Sequence, residues 1–438
     1  MGRDTPPATI FEEQMFYTED DIDKLIQPII DRQIEVNNYI IKLIAQRIKE
    51  IGELLPSDIF SLEQLAKTGA DVRMINTRLA QVAKLQVADI KQVIKRAASN
   101  VYQSAKPFFD YRKKPYIPFK ENEQVQRVVK SIEKQTSGTY QNMAKAQAFM
   151  TRDPANPKIL IPTTPARTYQ NTVDKAIQTV QSGAKDYQST MRNTLKEIVD
   201  SGIKEVVYEA ESGRVHTQRM DTAVRRNLLD GVRAVNQGVQ DEVGKQFGAD
   251  GVEITVHACP APDHCFVQGH QFSMSEYAKI APMGTIQADG SIDNSVYDNQ
   301  ADKVYDVNGK AYDVFDRKIG TLNCRHFAFN IIIGHAPQNY TDEQLQDILD
   351  ENEQGVTVDG KKYTKYQATQ IQRKMETKIR KAKDEQIAMK ELGNMDGVRE
   401  AQDKVTKYTQ EYKDFSDKAG LRMKLDRIKV EGYKKVKF

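Results

Sequence analysis

The chain has 438 residues, more than one average domain needs, with 39% hydrophobic, 8% aromatic and 29% charged residues and no tryptophan. That supply of apolar side chains suits two or three units and long, solvated helices better than one large globule. A formal net charge of only +3 excludes a bulk electrostatic drive onto nucleic acid or an anionic membrane.

The opening MGRDTPPATIFEEQMFYTEDD lacks the charged, apolar, small-residue succession of a secretory signal. Apolar runs such as Ile331-Ile332-Ile333 fall far short of the ~20 residues that cross a bilayer. The expectation is a protein made and kept in a cytosol-like compartment, or carried in a particle assembled there. Cys259, Cys265 and Cys324 cannot all pair with one another, and in a chain of this size they do not read as a disulfide framework.

In chain order, Ile30, Ile34, Ile41, Ile44, Ile48 and Ile51 recur at helical spacing and predict a long helix with one apolar stripe. Ser61 with Gln64 has the form of a capping box opening a short helix that closes near Gly69. A second long helix carries Ile75, Leu79, Val82, Ile90, Val93, Ala97 and Val101 on one face, interrupted by Gln86 and ended by Lys106-Pro107. Stripes of this length need partners to bury them, so docking through these helices is the expected mode of association. Phe108 to Phe119 (FFDYRKKPYIPF) reads as a connector or docking loop.

Helical pattern resumes from Glu123 to Met150 and breaks at DPANPKILIPTTPAR, whose prolines suggest a boundary. Two more helices follow, the second through Val224, Leu228, Val232, Val235, Val239, Val243 and Phe247, with Arg225 and Arg226 along it. Gly251 to His257 alternates as a strand. Ser273 with Glu276 caps a short helix, and Tyr305-Asp306-Val307 and Tyr312-Asp313-Val314 suggest a hairpin turning at Asn308-Gly309. Arg325 to Ile333 reads as another strand, and Thr341 with Gln344 as a further capping box. A helical hairpin over about 365–392 and 397–419 closes the pattern, joined by Gly393 to Gly397. Its second arm sets Val398, Ala401, Val405, Tyr408, Tyr412, Phe415 and Ala419 in strict three-four alternation, against Ile371, Met375 and Ile379 of the first. Beyond Gly420, residues 421–438 hold seven basic and two acidic residues, a net of +5 without a seam, and are expected to stay mobile until a partner orders them. The predicted class is mainly α: an elongated helical region (1–150), a helical region after the proline break (151–250), a small α+β domain (251–340), and a hairpin with a basic tail (341–438).

Chemistry concentrates in the α+β region. His257, His264, Cys324 and His326 are of zinc-ligand type, with Cys324 and His326 on one side of an extended segment. Neither Cys-x-x-Cys nor a helical His-x-x-x-His is present. Three readings stand open: histidines hydrogen-bonded to backbone beside cysteines buried as small apolar residues, a structural zinc, or a hydrolase or nuclease-like site with Cys324 as nucleophile and His257 or His264 as base. No residue is assigned a catalytic role, and zinc is the single cofactor candidate. For nucleic acid the candidates are Arg225, Arg226, Lys434 and Lys435, weighed against a salt-bridging helix face and a solvated tail.

Taken together, RMDTAVRRNLLDGVR (Arg219 to Arg233), GVEITVHACPAPDHCFVQGHQFS (Gly251 to Ser273), LNCRHF (Leu322 to Phe327) and ATQIQRKMETKIRKAK (Ala368 to Lys383) resemble the phage minor capsid protein 2 family, related to the Mu F-like head morphogenesis proteins. The motif positions are His257, Asp263, His264, Gln268, Gly269, Asn323, Cys324, Arg325 and His326. Val267 and Leu322 stand where relatives often carry tryptophan, and His270 where they tend to have Arg or Lys. The resemblance implies a non-enzymatic structural protein present in a few copies per virion, at or near the portal inside the head. It implies action in capsid assembly or DNA ejection, with portal and capsid proteins as partners. Self-association and contact with packaged DNA are further expectations, as is residence in the host cytoplasm during assembly.

Overall fold

The structure is a computed structural model that describes residues 19–54, 62–153, 155–182, 187–208, 215–257, 267–280, 326–336 and 338–438, with the short pieces 285–286, 292–293, 304–305, 311–312 and 319. Its elements open with helices α1 (Glu19–Gly52), α2 (Leu62–Ser104), α3 (Lys106–Tyr111) and α4 (Glu123–Lys145). Strands β1 (Gln147–Arg152) and β2 (Leu160–Thr163), helices α5 (Pro165–Gln181) and α6 (Tyr187–Ser201), and strands β3 (Lys204–Tyr208) and β4 (Val215–Arg219) come next. Helix α7 (Met220–Phe247) leads into β5 (Gly251–Ile254), β6 (Gln271–Ser273) and α8 (Met274–Ile280). Four two-residue strands, β7 (Thr285–Ile286), β8 (Ile292–Asp293), β9 (Val304–Tyr305) and β10 (Ala311–Tyr312), precede β11 (Ala328–Ile331) and α9 (Asp342–Gln354). The last elements are β12 (Val356–Val358), β13 (Lys361–Tyr363), α10 (Lys365–Leu392), α11 (Met395–Lys418) and a 3-10 turn, Leu425–Ile428. The protein is mainly α with small sheets, as its periodicity predicts.

Contacts divide the chain into two compact units, Met1–Gln27 with Ala88–Thr139 and Arg226–Thr369, and Pro28–Val87 with Tyr140–Arg225 and Gln370–Phe438. In the first unit α7 lies against α4 where two glycines permit it. A Cβ on Gly231 would fall 2.5 Å from Thr136 Oγ1, and one on Gly238 would fall 2.7 Å from Val128 Cγ1. The expected docking loop is folded into this unit's own core. Phe108 stacks on Phe247 at 5.1 Å and Phe109 meets it edge-on at 5.9 Å. Tyr102 donates to the Ile117 carbonyl and accepts from Asn122 Nδ2 at 3.0 Å. Aromatic burial outweighs the turn signals of the prolines here. The small sheet runs β11-β5-β6, all antiparallel, with β5 central. The predicted hairpin pairs Ala311 with Tyr305 and Tyr312 with Val304, while its Asn308-Gly309 turn lies outside the described residues. Two of the three predicted capping boxes form: Ser273 N donates to Glu276 Oε2 at 2.8 Å, and Thr341 N to Gln344 Oε1 at 2.9 Å, while Ser61 of the other lies outside the described residues.

In the second unit the Ile30–Ile51 stripe is buried, Ile48 completely. Along α2, Ile75 and Val82 are buried in this unit, and Ile90, Val93, Ala97 and Val101 in the first. The stripes are therefore satisfied within the chain and do not wait for a partner, which corrects the sequence-based expectation. Helix α2 also runs unbroken through Gly69, because one glycine costs only about 1 kcal/mol in a helix of 43 residues. Gln86 is accommodated inside, its Nε2 donating to the Ile29 carbonyl at 2.9 Å.

The proline-rich stretch forms the β1–β2 hairpin and lies within this unit. Pro165 occupies the first turn of α5 behind a Thr164 cap, where its missing N–H is harmless. The sheet order is β2-β1-β3-β4, and none of its strands alternates for more than a few residues, so periodicity gives them no signal. The C-terminal hairpin follows the predicted seam: Val398, Ala401, Val405, Tyr412, Phe415 and Ala419 are all buried. Only Gly393 and Asn394 join the arms, because Asn394 caps α11 by accepting from Gly397 N at 2.7 Å.

Candidate functional site

Strand β5 ends at Ile254, and Thr255 continues the pairing with Phe327, donating N–H to its carbonyl at 2.8 Å and accepting its N–H on Oγ1 at 2.9 Å. This pairing sets His257 beside His326. Their rings meet edge to face, centroids 4.6 Å apart at 72°. Gln268 ties the two residues together: its Oε1 accepts from the His257 main-chain N at 2.9 Å and lies 3.3 Å from His326 Nε2. Gln268 is 1% exposed and His326 4%. Gly269 then turns the chain at φ +76°, and a Cβ there would lie 2.3 Å from Leu345 Cδ2, so the Gln-Gly pair is required by geometry as well as by hydrogen bonding.

Of the expected cluster, the structure brings together His257, Gln268, Gly269 and His326. Asp263, His264, Asn323, Cys324 and Arg325 lie outside the described residues, as do Cys259 and Cys265. Among the described residues no three His, Cys, Asp or Glu side chains converge in metal-holding geometry. The two imidazoles are suitable donors, but His326 Nε2 faces Gln268, so ligation by His326 in this arrangement would use Nδ1. His270 is half-buried, and burial lowers its pKa against the opposing pull of the Asp342 and Glu253 carboxylates.

Two polar centres escaped the sequence reading. Glu253 looks like the solvent-facing residue of an alternating strand, yet it is 2% exposed. It accepts from Gln271 Nε2 at 2.9 Å, Asn339 Nδ2 at 2.7 Å and Asn339 N at 3.2 Å. Both faces of β5 are covered, so alternation carried no information about exposure. The second centre lies in the other unit. Arg219 Nε contacts Asp221 Oδ1 at 3.2 Å, Arg219 Nη2 contacts Asp384 Oδ2 at 3.3 Å, and Arg380 Nε lies 3.5 Å from Asp221 Oδ2. Burial alone would lower the pKa of Arg219, but the two carboxylates overcome it and raise it. Burial opposes ionisation of Asp221 too, yet Arg219 and Arg380 hold its carboxyl below the usual range. At Asp384 burial prevails over Arg219 and the pKa rises. Arg219 and Asp221 come from the first segment that carries the resemblance, and Arg380 from the last.

Arg225 and Arg226 are half-buried on α7, while Lys434 and Lys435 are exposed. The basic tail is not loose. Ile428 and Val430 are each 6% exposed, and Tyr412 Oη accepts from Lys424 N at 2.9 Å. The expectation of a mobile segment failed because its anchors are backbone groups, which hydrophobic periodicity does not reveal.

The described residues form a mainly helical protein with small sheets and buried polar centres. A model of the family described as phage minor capsid protein 2 matches residues 18–417, nearly the whole chain, and the protein belongs to that family. No curated protein and no solved structure matches it.

Proposed function

We propose that the protein is a structural, non-catalytic component of the phage head stationed at the portal vertex, acting in capsid assembly and DNA ejection. The observation that carries this reading is the family match over residues 18–417. The polar centres support it, because buried hydrogen-bonded joints of this kind rigidify one arrangement of a fold. Its partners on this reading are the portal and capsid proteins and further copies of itself. No helix among the described residues is long and apolar enough to cross a membrane.

With the long stripes internal, the surface of α2 left for contact includes Met74, 43% exposed, and Leu85, 52% exposed. Full-length protein carrying Met74→Lys and Leu85→Lys should melt as the parent does and lose co-purification with the portal protein. Retained co-purification removes α2 from the interface. Mass spectrometry of fractionated heads together with an asymmetric reconstruction tests the location, and an even distribution over the shell would overturn it.

A second reading, contact with packaged DNA, is favoured by one observation: Lys434, Lys435 and Lys437 are exposed along a backbone that is anchored. It requires DNA retention that falls steeply with salt.

A further inference from the structure

Residues 421–438 run along the hairpin of α10 and α11, and the hairpin grips them mainly by their main chain. From α10, Arg380 Nη1 donates to the Arg427 carbonyl at 2.7 Å, Lys383 Nζ to the Ile428 carbonyl at 2.6 Å, and Gln386 Nε2 to the Lys434 carbonyl at 2.9 Å. From α11, Gln402 makes both bonds of an amide pair with Val436, donating to its carbonyl at 2.8 Å and accepting its N–H at 2.6 Å. Two cations lie over rings of the segment: Lys383 Nζ is 5.1 Å from the Tyr433 centroid, and the Arg399 guanidinium is 4.9 Å from that of Phe438. Ile428 and Val430 supply the deep apolar contact, and Ile428 joins Ile379 and Tyr412 in one cluster.

Donors set at residues 380, 383 and 386, three apart on one face of a helix, form a ladder that reads an extended backbone. We infer that this groove is a peptide-binding site that takes residues 421–438 of a second copy of the protein in place of its own. The occupant is specified by what the groove already holds, since every copy presents the same segment with the same chemistry. Replacing one occupant by the other breaks and remakes the same contacts, which is what makes exchange of identical elements between protomers inexpensive. The linkage through Ala419 and Gly420 favours the copy's own segment, as does the bond from Leu421 N to the Ser416 carbonyl at 2.9 Å. A short tether of that kind acts as an effective concentration on the order of 1 mM. Dilute protein therefore keeps its own segment. Copies held side by side in a particle exchange them and become laced together.

The test uses full-length protein, half of it ¹⁵N-labelled, mixed at about 1 mM and treated with a lysine cross-linker. Links from Lys434 or Lys435 to Lys383 or Lys404 report occupancy of the groove, and links that join the two isotopes report exchange. At a concentration equal to the tether's effective value, about half the grooves hold a foreign segment and about a quarter of these links join the two isotopes. They should fall at least tenfold on hundredfold dilution before cross-linking. Single-isotope links alone at 1 mM would overturn the proposal, and so would mixed links spread evenly over all surface lysines. Gln402→Leu removes both bonds to Val436 and should reduce these links several-fold in both classes. Mixed links that survive it undiminished arise elsewhere and refute the assignment.

Discussion

Removing the guanidinium of Arg219 leaves Asp384 buried with its closest cation gone and Asp221 dependent on Arg380. Breaking a buried pair from one side costs about 3–5 kcal/mol, because the remaining charge has no water to return to. Arg219→Met should lower stability by about that much in a denaturant titration. Adding Asp384→Leu should restore part of the loss, since an apolar replacement removes the stranded charge. An undiminished loss in the double variant would show that Arg219 matters for packing alone. In the first unit Asp241 offers a pH handle. Burial pushes its pKa up to about 6, against the opposing hydrogen bond from Gln237, which donates at 2.7 Å. A carboxyl raised on folding destabilises as it ionises, so its cost is absent below the unfolded value near 4 and complete above about 6. Asp241→Asn should therefore melt higher than the parent at pH 7.5 and equally with it near pH 4. A gain that persists unchanged at pH 4 would mean that the charge is not the cause.

Among the elements, the α10–α11 hairpin and its strap carry the sharpest expectation. Deleting Asp426 to Phe438 exposes the surface under Ile428 and Val430, and burial of each such side chain contributes roughly 1.5–3 kcal/mol. The deletion should therefore lower the melting temperature by several degrees, and an unchanged melt would show the strap to be loosely held. Val405→Asp should open the hairpin and expose the vicinity of Lys383 to protease. The seam was legible in advance because one face of a long helix writes its burial into a three-four spacing. The α1 and α2 stripes and the α7 stripe from Val224 to Phe247 were legible for the same reason. The β1–β4 sheet was not, since its strands are four to six residues long and hold through pairing partners far away in sequence. The candidate site was proposed from residue types and from the resemblance, and of its residues His257, Gln268, Gly269 and His326 lie among the described ones. The residue types of His257 and His326 mark them as candidates, but nothing in their spacing shows that the two rings meet edge to face or that Gln268 Oε1 takes the His257 main-chain N–H beside His326 Nε2.

At the scale of the whole molecule, the sequence reads as four consecutive segments, while each compact unit is assembled from three separated stretches. The β11-β5-β6 sheet illustrates what that implies. Asn330 Nδ2 donates to the Gln240 carbonyl, Ala328 N donates to Gln237 Oε1 at 3.2 Å, and Gly244 lies close enough to Asn330 that a Cβ would fall 2.5 Å from its Cγ. A fragment of residues 251–340 lacks α7 and should show little fixed structure by circular dichroism. Native-like dispersion in its NMR spectrum would show that the sheet needs no such support.

The ionic centre of the second unit has a consequence in time. Arg219 and Asp384 are 165 residues apart in the chain. At 5–20 residues per second, a ribosome that has made the arginine and its neighbour Asp221 needs roughly ten to thirty seconds to supply the second carboxylate. Throughout that interval Arg219 and Asp221 at the end of β4 and the start of α7 lack Asp384 and Arg380, and this centre remains incomplete and hydrated. Completion of this unit is therefore a late event in synthesis. A nascent chain arrested before α10 leaves the ribosome should hold this unit unlatched, and so unready to enter an assembling particle.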